Sequence, residues 1–173
     1  MDQAAVALVI SLVSAALAGA SLGWQIAQYL LSAPRVRVST CFGAMSDDGQ
    51  STVIASPRQD AETFLASVPP VYLEPVVVLQ IRNKGRTQVS ITDAAVELPD
   101  RSSYRRRDYA PNVQLPHRLQ EHDELSWYIP ASEIVAVAEA RGWPLPIRVR
   151  GVVRLGTGKP KASRMIKVGP LNR

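Results

Sequence analysis

Hydrophobic patterning changes character at residue 34. Residues 3–34 carry no charged side chain, and residues 4–23 read AAVALVISLVSAALAGASLG. A helix of that length rises about 30 Å, the thickness of a bilayer's hydrocarbon core. Trp24 and Tyr29 follow, where amphipathic rings sit at the lipid–water boundary. The pattern predicts an uncleaved transmembrane anchor within residues 1–34. Two alternatives compete with it. A cleaved signal peptide would use the small residues at 18–21, but its n-region, MDQ, lacks Lys and Arg. A buried soluble helix of this length would be unusual without one polar face.

Beyond residue 34 the period becomes that of strands. Residues 35–42, RVRVSTCF, place Val36, Val38, Thr40 and Phe42 on one face and Arg35, Arg37, Ser39 and Cys41 on the other. Such alternation predicts a half-buried strand. Residues 76–82, VVVLQIR, are apolar enough for a central strand, and Asn83-Lys84-Gly85 after them is turn chemistry, with Gly85 free to take positive φ. Strands are predicted at 88–92, 94–98, 124–129 and 147–155, with a turn at 156–161 and a last strand over 162–168. One soluble helix is predicted after Pro130, with Ser132 as its N-cap and Arg141-Gly142 as its stop.

Short strands separated by turn signals predict an antiparallel sandwich over residues 35–173. Two insertions interrupt it. Residues 43–73 are polar and contain Pro57, Pro69 and Pro70, with room for a short strand at 52–55 and a helical turn at 60–66. Residues 100–112 carry Arg101, Arg105, Arg106 and Arg107 among Tyr104 and Tyr109.

The segments VVVLQIRNKGRTQVSIT (76–92) and LQEHDELSWYIP (119–130) resemble strands of bacterial membrane-anchored immunoglobulin-like β-sandwich domains. The resemblance covers only these segments. It implies a mainly β fold and carries no catalytic residues; such sandwiches serve adhesion, docking or assembly.

Charge then sets topology. All 20 Lys and Arg, and all but one of the 15 acidic residues, follow residue 34, giving that part a net charge of about +6. Arg35 and Arg37 flank the apolar segment on its C-terminal side and no basic residue precedes it, so the positive-inside rule places the C-terminal domain in the cytoplasm. A single cysteine, Cys41, permits no intrachain disulfide and suits a reducing compartment. Along the apolar segment Ala7, Ser11, Ala15, Gly19, Gly23 and Ala27 recur every four residues, a stripe that lets a second helix approach closely. It offers a homo-oligomer contact or one with another membrane subunit; chance in an Ala-rich segment explains it equally well.

Candidate chemistry is sparse. The Arg/Tyr run could grip a protein partner or membrane lipid headgroups, could clamp phosphates and stack on bases, or could be a solvated hairpin tip. The tether argues against nucleic acid as the main ligand. Gly156-Thr157-Gly158-Lys159 lacks the first glycine of a phosphate loop and is followed by Pro160, so it reads as a hairpin turn. His117 and His122, five apart, share neither a strand face nor a helix face well enough for a metal site. Cys41 has no recognisable nucleophile context. No cofactor is expected. The function expected is therefore that of a membrane-tethered module docking a protein at the cytoplasmic membrane surface. The rivals are an outward-facing cell-envelope domain, and a membrane-bound hydrolase using Cys41 or the histidine region.

Overall fold

A computed structural model describes residues 2–32, 35–56, 59, 61–106, 108–109 and 112–170. Helix α1 (Gln3–Ser32) leads into β1 (Val36–Ser46), β2 (Thr52–Ile54), α2 (Ala61–Ser67), β3 (Tyr72–Asn83) and β4 (Val89–Glu97). Then come β5 (Ser103–Tyr104), β6 (His117–Leu119), β7 (Glu124–Pro130), α3 (Ala131–Ala140), β8 (Ile147–Leu155), β9 (Pro160–Ala162) and β10 (Ile166–Val168). Among the described residues one helix is long and apolar enough to cross a membrane, over Gln3–Tyr29, and none of it is buried. The same length and composition fit a signal sequence.

The strands form two antiparallel sheets. One is ordered β2-β1-β3-β7; the other is β10-β8-β4-β5, with β6 also paired to β4 and β9 to β8. Their inner faces enclose one core. Phe42, Val77, Leu79, Ile81, Trp127 and Ile129 from the first sheet meet Ile91, Val96, Val149, Val153 and Leu155 from the second. The period-two pattern of 147–155 thus reports one buried face, as expected, whereas β1 is half-buried only at its start and is buried on both faces from Thr40 onward.

The run VVVL in β3 lacks alternation because both of its faces are covered. Val76, Val77, Val78 and Leu79 are all 0% exposed. Val77 and Leu79 point to the main core, while Val76 and Val78 join Cys41 and Met45 in a second cluster on the outer face, flanked by Ile54, Tyr109 and Tyr128. Cys41 does lie opposite the Val36/Phe42 face, and it is buried there.

Several boundaries differ from the sequence pattern. The strands expected at 88–92 and 94–98 are one strand, β4, carrying a register shift between Ile91 and Asp93. The last strand expected over 162–168 is broken into β9 and β10 at Ser163–Met165, numbers 163–165 of the chain. Ser132 does not cap α3: Pro130 occupies the N-cap and no side chain hydrogen-bonds there. The helix stop is as expected. Gly142 has φ +67, its N–H donates to Glu139 O at 2.9 Å, and Trp143 N–H donates to Ala138 O at 2.9 Å. These two bonds close a Schellman turn, which favours glycine at the left-handed position.

Residues 43–73 carry the end of β1, then β2, α2 and the start of β3. The strand and helical turn expected inside this segment are present, and Ala61, Phe64 and Leu65 of α2 enter the core at helical spacing.

The turn after β3 works differently from the sequence reading. Gly85 is not among the residues with positive φ. The Asn83 carboxamide shapes the turn instead: its Oδ1 accepts from Gly85 N–H at 3.0 Å and its Nδ2 donates to Thr87 O at 2.8 Å. This is Asx-turn chemistry, and here it carries the chain from one sheet to the other.

Candidate functional site

The Arg/Tyr segment follows β5 and crosses from the second sheet to the outer face of the first. Its side chains are engaged within the fold. Arg105 grips Asp93 of β4, Nε at 3.0 Å from both carboxylate oxygens and Nη2 at 2.9 Å from one. Arg106 lies 3.3 Å from Glu133 of α3, and the Tyr104 hydroxyl donates to the same carboxylate. Tyr109 OH donates to Glu74 at 2.7 Å. Asn112 exchanges two bonds with the Tyr128 backbone, 2.8 and 2.7 Å, as an extra strand would. Arg107 lies outside the described residues. The carboxylates that meet this segment come from β3, β4 and α3, so its cations are largely committed to holding the crossing down. Arg101, at φ 65, forms no ion pair among the described residues and faces a groove.

That groove, about 590 Å³, is lined by Pro99, Trp143, Pro144, Pro146 and Met165, with Arg101 and Arg148 at its rim. Arg150 is paired to Glu97 at 2.7 Å. Arg141 pairs with Asp100 and stacks over Trp143 at 5.0 Å, fixing the indole as one wall. The result is an apolar trough with two guanidinium groups, Arg101 and Arg148, that form no ion pair among the described residues.

A second groove, about 640 Å³, runs along the open edge of β1. It begins within a few residues of α1. Arg37 of β1 stands in register opposite Arg82 of β3, and Arg82 opposite Glu124 of β7. Lys84 is held near by its backbone N–H, which donates to Arg35 O at 2.7 Å. Arg164 enters from the break between β9 and β10. That break is pinned against β1: Thr40 Oγ1 and Ser163 Oγ are 2.6 Å apart, and Gly151 N–H donates to both. Met165 stands between the two grooves and lines each. The sequence reading missed this second site, because Arg37 and Arg82 meet only through strand register and Arg164 joins them only through the break between β9 and β10.

The remaining candidates are placed as follows. Burial, and secondarily the nearby Glu124 carboxylate, push the Cys41 thiol from 9.0 up to about 11. A thiolate nucleophile needs the opposite shift. His117 opens β6, and His122 sits in the following turn with φ 59. That turn crosses between the sheets rather than closing a hairpin, since β6 pairs with β4 and β7 with β3. Among the described residues no three His, Cys, Asp or Glu side chains converge on a metal position. Residues 156–159 form the β8–β9 turn, with Gly158 at φ +79. On α1 the stripe Ala7, Ser11, Ala15, Gly19, Gly23, Ala27 faces no other part of the domain at its glycines; a Cβ added at Gly19 or Gly23 would meet nothing within 4 Å. Trp24 and Tyr29 are exposed at 65% and 79%. The chain matches no known family model, and it matches neither a curated protein nor a solved structure.

Proposed function

We propose that this protein is a single-pass membrane-tethered binding module, with α1 as an uncleaved anchor and an immunoglobulin-like sandwich that docks a protein at the cytoplasmic membrane surface. The observation that carries this reading is the unburied apolar helix Gln3–Tyr29, joined to β1 through only three residues, 33–35. An apolar helix left unburied by the described residues needs lipid or another helix around it. Arg35 and Arg37 on its C-terminal side support the cytoplasmic orientation. The Ala/Gly stripe supports packing against a second copy or another membrane subunit.

The immunoglobulin-like assignment is supported by strand order. Taking β1, β3, β4, β7, β8 and β10 as A, B, C, E, F and G, one sheet reads A-B-E and the other G-F-C. Helix α3 replaces the usual short E–F connection.

For the protein partner, the Trp143 groove is the docking surface, and its occupant is a segment with an apolar side chain flanked by carboxylates. Charge complementarity supports this: Arg101 and Arg148 flank a trough walled by Trp143, Pro144, Pro146 and Met165. The test is a photo-crosslinking amino acid at Met165 in the full-length chain in its membrane. The expected result is one defined adduct that is lost in Arg101→Glu/Arg148→Glu, while the protein stays in the membrane pellet. An adduct indifferent to both charge reversals would contradict the groove as the docking surface.

A further inference from the structure

We propose that the groove along β1 seats the phosphate of an anionic lipid headgroup, so that the domain is held against the membrane by a specific contact as well as by its helix. This deepens the tethered reading and rests on it.

The groove gathers four cations, Arg37, Arg82, Lys84 and Arg164, against one carboxylate, Glu124. None of the four cations forms an ion pair among the described residues, although Arg105, Arg106, Arg141 and Arg150 all do. Arg37 and Arg82 are direct cross-strand partners. Like charges in that position repel and destabilise a sheet, and an anion between them reverses the sign of the interaction. Guanidinium groups also suit the site, since each can offer two parallel N–H donors to phosphate oxygens.

Position selects the source of that phosphate. Arg37 follows Ser32, the last residue of α1, by five residues, which at full extension reach no more than about 18 Å. The headgroup layer is roughly 5–8 Å thick on each side of the hydrocarbon core. The groove therefore opens within reach of headgroups that the anchor itself keeps at high local concentration. The Thr40–Ser163 contact, with Ser163 Oγ donating to Arg164 O at 2.8 Å, fixes the backbone from which Arg164 lines the groove.

The experiment uses the full chain in detergent, offered equimolar phosphatidylglycerol and phosphatidylcholine, with retained lipid counted by native mass spectrometry. Wild type should prefer phosphatidylglycerol, and Arg37→Gln/Arg82→Gln/Arg164→Gln should lower that preference roughly tenfold or more. Arg101→Gln/Arg148→Gln, in the other groove, should leave it unchanged. Arg164→Gln alone, an exposed residue outside the strand ladders, should give a smaller loss in the same direction and guards against misfolding of the triple variant. No headgroup preference in wild type, or equal losses in the two multiple variants, would overturn the proposal. So would displacement of phosphatidylglycerol by inorganic phosphate as readily as by lipid, which would make the site one for free anions. Release of the chain from membranes by alkaline carbonate would instead overturn the tether; retention without lipid preference overturns the headgroup site alone.

Discussion

The wholly buried Asn83 carboxamide donates to the backbone carbonyl of Gln120 at 2.9 Å and so joins the two turns by which the chain changes sheets. Asn83 N–H adds a bond to Asp123 O at 3.0 Å. One side chain thus shapes the β3–β4 turn and fastens the β6–β7 turn to it. Asn83→Ala removes these side-chain bonds, including the one to the buried Gly85 N–H, and should cost about 2–4 kcal/mol, read as a lower denaturant midpoint with unchanged slope. Asn83→Asp should recover little, since a carboxylate cannot donate to Thr87 and Gln120.

Gly151 of β8 lies close against β1 and β3. A Cβ there would stand 2.6 Å from Thr40 Oγ1 and 2.7 Å from Leu79 Cγ. Gly151→Ala should therefore destabilise the domain by about 1–3 kcal/mol through overpacking. Gly142→Ala meets open space and loses only the left-handed preference, about 1 kcal/mol. Thermal unfolding of the two variants should rank them in that order.

Cys41 gives the domain an alkaline weakness. The folded protein holds the thiol proton to about 11, whereas a free thiol releases it near 9.0. A raised folded-state value contributes fully below pH 9 and is lost as pH rises through 11, so stability should fall by about 2 kcal/mol over that window. Tyr104 and Tyr109 are also held protonated, mainly by burial and then by Glu133 and Glu74, and steepen the loss above pH ~10. Cys41→Ala should be less stable at neutral pH but show a shallower decline from pH 9 to 11.

Strands β1, β3, β4, β7 and β8 and both soluble helices are legible because their periods report burial directly, whereas β5, β6 and β9, two or three residues each, are too short to carry a period and are not predicted by the sequence. The VVVL run and Trp127 follow the same rule, having no exposed face to mark with polar residues. The Arg/Tyr segment shows the converse: Asp93, Glu133 and Glu74 are distant in sequence, so the pairing of Arg105 and Arg106 and the Tyr109–Glu74 bond cannot be read from the chain. Arg37 stands out in sequence only as a charge flanking the apolar segment, and it becomes a neighbour of Arg82 only through strand register.

The stripe on α1 makes a separate prediction. Gly19→Leu/Gly23→Leu should reduce self-association of the full chain in micelles, read by dilution-dependent energy transfer between labelled copies, by several-fold. Ile10→Leu, a conservative change on the opposite face of the helix, should not. Equal association in both variants would remove the stripe as a contact.

The central claim is an uncleaved anchor that keeps the sandwich on the cytoplasmic side, and thiol accessibility tests it most directly. Cys41 cannot serve, being 3% exposed with a weakly acidic thiol. Lys159→Cys places a reporter on the exposed β8–β9 turn. A membrane-impermeant maleimide should label it in membrane-bound, full-length protein only after cells are permeabilised. Labelling in intact cells, or a labelled chain shortened by the length of α1, would contradict the account.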